Sequence, residues 1–288
     1  MINILVTGSK GQVGSELQAL ESHYNYNFFF TDRESLNITD SNALEQFINN
    51  NSITHIINSA AYTAVDKAEE EIVNADKVNH LAVKELAKIA KKRTIQLIHI
   101  STDYVFDGKN HKPYNETDAT HPNGIYGKTK LDGENAILNL NPKNSVIIRT
   151  SWVYSSFGAN FVKTMLRLGK ERDTLGVIFD QIGTPTYARD LAKTILDIIP
   201  NLKNNEVQIY NYSNEGVLSW YDFAKEIMRM AKIECQINPI ETIEYPTPAQ
   251  RPHFSLLNKS KIKKDFNITI PFWKDSLDNC LKIMKERK

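Results

Sequence analysis

Tyr126 and Lys130, four residues apart, are the pair of side chains in this 288-residue sequence with the clearest chemical use. On a helix that spacing puts both on one face. A phenol with an ordinary pKa near ~10 carries protons poorly at neutral pH. A neighbouring ammonium favours the phenolate and lowers that value, and an oxidised nicotinamide would add to the effect. Tyr-x-x-x-Lys by itself also occurs on many solvated helix faces. Ser101-Thr102-Asp103 adds weight, because these residues close an apolar run at the strand end where open sheets bind ligands. A hydroxyl there can share a substrate carbonyl oxygen with Tyr126. Taken with a glycine loop far upstream, the arrangement reads as a carbonyl-reducing site.

That loop is Gly8-Ser9-Lys10-Gly11-Gln12-Val13-Gly14, between the first apolar run and the first amphipathic segment. Its GxxGxxG spacing is a variant of the dinucleotide fingerprint. Glycines there permit a tight turn, let backbone N–H groups approach a pyrophosphate and allow close helix–sheet contact. Asp32 ends the second apolar run, where a carboxylate can hold a ribose 2′-hydroxyl. Arg33 follows at once and suits a 2′-phosphate instead. The two neighbours argue in opposite directions and leave NADH and NADPH both open.

These groups need elements to hold them. Ile2–Val6, Tyr26–Phe30, Ile53–Asn58, Ile95–Ser101 and Asn144–Arg149 are strand-sized apolar runs. Helical patterns alternate with them at Gln12–Leu20, Asp40–Asn50 and about Glu69 to Lys92. That alternation predicts βαβ units and a parallel sheet covered on both faces. Right-handed crossovers make it a Rossmann-type, doubly wound α/β fold. Residues 1–150 are the expected dinucleotide-binding domain. Residues 151–288 are expected to form a smaller, mainly substrate-binding α/β part, with some segments returning to the sheet. Its helical patterns are Phe161–Gly169, Asp190–Ile199, Trp220–Ala231 and Trp273–Lys285, and its strand-like runs are Leu175–Phe179 and Val207–Tyr212.

Composition sets bounds. Thirty-five basic against 34 acidic residues, a net charge of +1, give no reason to expect a nucleic-acid or anionic-membrane partner. No apolar stretch is long enough to span a membrane, and the first residues lack a leader's basic region and cleavage site, so a cytoplasmic protein is expected. Cys235 and Cys280 have no metal-ligand spacing and read as two reduced structural thiols. His55 and His99 read as strand packing, Phe28-Phe29-Phe30 as a buried strand, Trp220 and Trp273 as helix anchors, and Glu69-Glu70-Glu71 as a solvated helix start. Arg251 lies in a Pro-bounded loop, where its guanidinium suits either a diphosphate or a surface ion pair.

Beyond single motifs, the chain resembles the dTDP-4-dehydrorhamnose reductases, extended short-chain dehydrogenases. The resemblance runs through Gly8–Gly14, Asn58–Glu69, Ser101–Gly108, Tyr126–Lys130 with Gly133-Glu134, Arg149–Tyr154, Asp180–Thr186 and Arg251-Pro252. Ala64-Val65-Asp66-Lys67-Ala68-Glu69 and Asp180-Gln181-Ile182-Gly183-Thr184-Pro185-Thr186 are far more specific than the glycine loop. It implies NAD(P)H-dependent reduction of the C4 keto group of a nucleotide-linked 6-deoxyhexose, the step from dTDP-4-dehydro-L-rhamnose to dTDP-L-rhamnose. Thr102, Tyr126 and Lys130 would be the catalytic trio. Gly11, Gln12 and Val13 would bind the pyrophosphate, with Gly8 also at the cofactor and Asn37 and Ile38 beside the adenine. Ala61, Tyr62 and Thr63 would line the cofactor. Asp103, Tyr104, Trp152, Asn160 and Arg251 would face the substrate. Asn37 stands where relatives commonly carry aspartate. Some relatives dimerise around Mg²⁺ through glutamates; Glu16 could match one of these but the sequence places no others, so no metal site is read, and a homodimer is a further expectation. Two other functions compete: a related dehydratase or epimerase, and a non-catalytic cofactor-binding subunit. Dehydratases of this group carry Asp-Glu after the threonine, whereas here Asp103 precedes Tyr104. A pure binding subunit has no need of all three catalytic side chains.

Overall fold

The structure, a computed structural model, describes residues 2–287. Five strands of the first half, β1 (Asn3–Thr7), β2 (Asn27–Thr31), β3 (His55–Asn58), β4 (Gln96–Thr102) and β5 (Val146–Thr150), form a parallel sheet with the strand Gln208–Tyr212. From one edge the order is β2, β1, β3, β4, β5 and then Gln208–Tyr212. The chain runs outward from β1 to β2 and returns to β3 on β1's other side. That reversal opens a crevice beyond the strands' carboxyl ends, between β1 and β3. Register aligns Thr7 with Asn58 and Thr102 with Thr150, so chain exits along the sheet lie side by side.

Alternate residues of each central strand supply two cores. Ile4, Val6, Ile57, Ile98 and Ile148 face helices Gln12–Leu20 and Ala188–Ile198. Leu5, Ile56, Leu97 and Ile147 face helices Ser41–Asn50, Ala82–Arg93 and Ile125–Leu140. Burial on both faces is why these strands read as unbroken apolar runs. β2 differs from the expected buried strand: at the sheet edge its three phenylalanines are half-buried, and Phe28 and Phe30 stack at 5.4 Å.

The helix expected over about 69–92 is present as one continuous run, Ile72–Asp76 passing through a wider π-helical turn at Lys77–Leu81 into Ala82–Arg93, with a separate short turn of helix at Val65–Ala68 before it. Such turns occur where a side chain must be aimed off the regular ladder. Here it is Asn79, which is fully buried.

In the second half, Thr174–Ile178 pairs in parallel with Gln236–Ile240. Helices Phe161–Glu171, Trp220–Ala231 and Trp273–Glu286 enclose a third core around Phe223, Ile227 and Leu277. Among the described residues no helix is long and apolar enough to cross a membrane.

Candidate active site

A cavity of about 1040 Å³ lies along the carboxyl edge of the sheet, from Asp32 and Asn37 at one end to Trp152 and Asn160 at the other. Gly8, Gly11, Gln12, Val13, Arg33, Ile38, Ala61, Tyr62, Thr63, Thr102, Asp103, Tyr104, Tyr126 and Lys130 line it too. The one candidate residue it does not bring to this wall is Arg251.

Gly11 precedes the helix Gln12–Leu20, whose first N–H groups open toward the cavity. Two glycines are sterically required. Gly8 has φ +69°, and a Cβ there would lie 2.7 Å from the Ala60 backbone. A Cβ on Gly14 would lie 2.4 Å from the Gly8 carbonyl oxygen. Asp32 is heavily engaged: Lys10 Nζ stands 2.5 Å from one carboxylate oxygen. The other accepts from Ser35 N at 2.8 Å, Ser35 Oγ at 2.9 Å and Glu34 N at 3.0 Å. Lys10 and Ser35 hold this carboxyl well below the usual range.

Tyr126 and Lys130 project from helix Ile125–Leu140, and Thr102 from the end of β4. Burial pushes the Tyr126 phenol up to about 12, with a hydrogen bond to Thr102 pulling the other way. Lys130 does not lower it as the spacing suggested. Its ammonium points instead to the Ile100 carbonyl at 2.6 Å and to His99 Nε2 at 3.3 Å. Burial brings Lys130 down to about 8, opposed by Glu134. Glu134 in turn accepts from Ser101 Oγ and takes Arg149 Nη2 at 2.7 Å.

Asp103 is 1% exposed, and burial lifts its carboxyl to about 6 against the Ser255 and Thr102 hydroxyls. Its Oδ2 meets no donor in hydrogen-bonding geometry, although Ser255 is near enough to act on it. Tyr104 packs edge-on against Tyr126, ring centroids 5.5 Å apart. Trp152 adopts φ +49° and stacks on Trp220 at 3.7 Å. Asn160 caps helix Phe161–Glu171 through Lys163 N and donates to Gln12 Oε1 at 3.0 Å.

Arg251, read as suiting either a diphosphate or an ion pair, lies in an ion pair. Both its terminal nitrogens meet the Asp66 carboxylate, at 3.0 and 2.8 Å, a fork-to-fork match that uses the groups a diphosphate would need. Glu16 does not fit a divalent-cation site. Its buried carboxylate accepts from Ser155 Oγ at 2.6 Å and from Arg189 Nη1 at 3.4 Å, a guanidinium where a cation would need more oxygen ligands.

Several supporting residues carried no sequence signal. Asn79 grips the Tyr62 peptide at both ends, at 2.9 and 3.1 Å, and donates to Thr129 Oγ1 at 3.2 Å. It thereby ties the cofactor-side loop to the helix of Tyr126. Glu69, expected in solvent, accepts from Ile125 N at 2.9 Å and holds that helix's first turn. His99, expected as packing alone, stands between Lys130 and Asn58. A polar residue inside an apolar helical stripe was the only available hint for Asn79.

The family described as the RmlD substrate binding domain matches residues 2–286. A dTDP-4-dehydrorhamnose reductase of Aggregatibacter actinomycetemcomitans is 42% identical over 97% of this chain and 98% of its own. The crystal structure of a Clostridium acetobutylicum dTDP-4-dehydrorhamnose reductase superposes with TM-score 0.93 at 41% identity, covering 99% of this chain and 100% of the other. That of Bacillus anthracis, in complex with NADP, gives TM-score 0.93 at 35% identity over 98% and 100%. With this match across nearly its whole length, the chain belongs to the RmlD family, the dTDP-4-dehydrorhamnose reductases.

Proposed function

We propose that this protein is an NAD(P)H-dependent oxidoreductase that reduces the C4 carbonyl of dTDP-4-dehydro-L-rhamnose to give dTDP-L-rhamnose. The observation that carries this reading is one cavity with the glycine loop along it and Thr102, Tyr126 and Lys130 clustered beyond. The reduced nicotinamide supplies hydride to C4. Tyr126 Oη gives its proton to the C4 oxygen, so the carbonyl becomes an alcohol and the phenol a phenolate. The Thr102 hydroxyl, beside Tyr126 on the cavity wall, is placed to turn from Asp103 Oδ1 and donate to the same oxygen. Lys130, held by the Ile100 carbonyl and His99 beside Tyr126, is placed for the nicotinamide ribose. Asp103, on the cavity wall beside Thr102, faces the sugar, and Trp152, backed by Trp220, walls it. Backbone N–H groups of Gly11, Gln12 and Val13 hold the pyrophosphate, and Asn37 and Ile38 flank the adenine.

Residues 1–150 serve mainly the cofactor and residues 151–288 mainly the substrate. The protein works in the cytoplasm, without nucleic acid, and light scattering tests whether it is a homodimer. Tyr104 in place of a glutamate leaves no second acid for elimination, which favours reduction over a dehydratase reading. The test is purified protein with dTDP-4-dehydro-L-rhamnose and either reduced cofactor, followed by nicotinamide absorbance. Turnover is expected, and no oxidation with either cofactor sinks the proposal.

A further inference from the structure

The glycine loop carries a cation at its centre. Lys10 Nζ lies 2.5 Å from Asp32 Oδ2 and 3.0 Å from Glu34 Oε2, and Lys10 lines the cavity with both partners. A carboxylate at Asp32 suits a ribose bearing two free hydroxyls and repels a ribose 2′-phosphate, which brings about −2 of charge. Here that repulsion is offset from within the loop. Arg33, on the same wall, makes no ion pair or side-chain hydrogen bond among the described residues, so its guanidinium is uncommitted.

We propose that Lys10 determines which nicotinamide cofactor this enzyme accepts. It screens Asp32 and turns part of its ammonium to the 2′-phosphate, so that NADPH binds with Arg33 despite Asp32. An ammonium has three donors and can serve a carboxylate and a phosphate together. Its side chain is 70% exposed, so the stem is free to turn. NADH needs none of this, because the Asp32 carboxylate meets its 2′-hydroxyl directly. The proposal rests on the reading of the cavity as a nicotinamide cofactor site.

Binding separates the two claims without turnover. Dissociation constants for NADPH and NADH are measured by nicotinamide fluorescence on wild type, Lys10→Gln, Lys10→Arg and Asp32→Ala. Lys10→Gln is expected to weaken NADPH about tenfold to a hundredfold, the worth of one charge-assisted hydrogen bond, and to leave NADH within about threefold. Lys10→Arg is expected to retain NADPH. Asp32→Ala is expected to weaken NADH alone. Retained NADH binding in Lys10→Gln shows that the loop is intact. Equal loss of both cofactors, or unchanged NADPH, overturns the role of Lys10 while the cofactor site stands. Wild-type protein that binds neither cofactor sinks the functional reading as well.

Discussion

A group that must hand over a proton has to be holding it when the substrate arrives. Tyr126 does so over the whole physiological range, because burial has raised its phenol to about 12. Replacing it with phenylalanine is expected to lower kcat by about 10²- to 10⁴-fold while cofactor binding changes little, measured by steady-state rates and fluorescence titration. Lys130 sets the alkaline limit. Its ammonium, brought down to about 8, is present below that pH and lost above it. The rate should therefore fall as pH rises through about 8, and a flat profile to pH 10 would contradict a need for the charged Lys130 ammonium in the site. Asp103 works in the other direction. Its carboxyl ionises near 6 when folded and near 3.8 when unfolded, so the folded state loses stability as pH rises between those values. Asp103→Asn should raise thermal stability at pH 7 by up to about 3 kcal/mol and leave it nearly unchanged at pH 3, by calorimetry, while substrate KM rises.

At the scale of elements, the site depends on how helix Ile125–Leu140 is seated. Its Gly133 lies so close to the π-helical turn that a Cβ would stand 2.2 Å from the Asn79 carbonyl oxygen. Gly133→Ala must push two backbones apart. A loss of about 1–3 kcal/mol is expected by denaturant titration, with a lower kcat because Tyr126 moves with the helix. Asn79→Ala should lower kcat as well, through the loss of its bonds to Tyr62 and Thr129. The strands, the glycine loop and Tyr126–Lys130 were legible in the sequence because each is a pattern of close neighbours. Asn79, Glu69 and His99 were not, since their roles rest on partners 17 to 56 residues away. Arg251 could be read as facing either a diphosphate or an ion pair, and only the folded chain shows Asp66 meeting its fork. The π-helical turn inside the helix over 72–93 was hidden as well, since its Asn79 is set by partners at Tyr62 and Thr129.

Across the whole molecule, the two halves are stitched together by polar groups as well as by apolar cores. Glu16, four residues beyond Gln12 on the first helix, is fully buried and meets Ser155 and Arg189 from the second half. Arg189→Ala would leave that carboxylate without its counter-charge, and about 2–4 kcal/mol of stability should be lost in chemical unfolding. A loss below about 0.5 kcal/mol would show that the pair contributes little. The strand Gln208–Tyr212 adds a second constraint, since it lies beside β5 and completes the sheet. A fragment ending at residue 150 would carry β5 as a bare edge, ready to pair with other chains. On the ribosome this makes folding late: the sheet cannot close until the strand at 208–212 has left the exit tunnel. Until then the nascent chain offers chaperones an unfinished edge, and a stall in synthesis between β5 and that strand would be paid in aggregation.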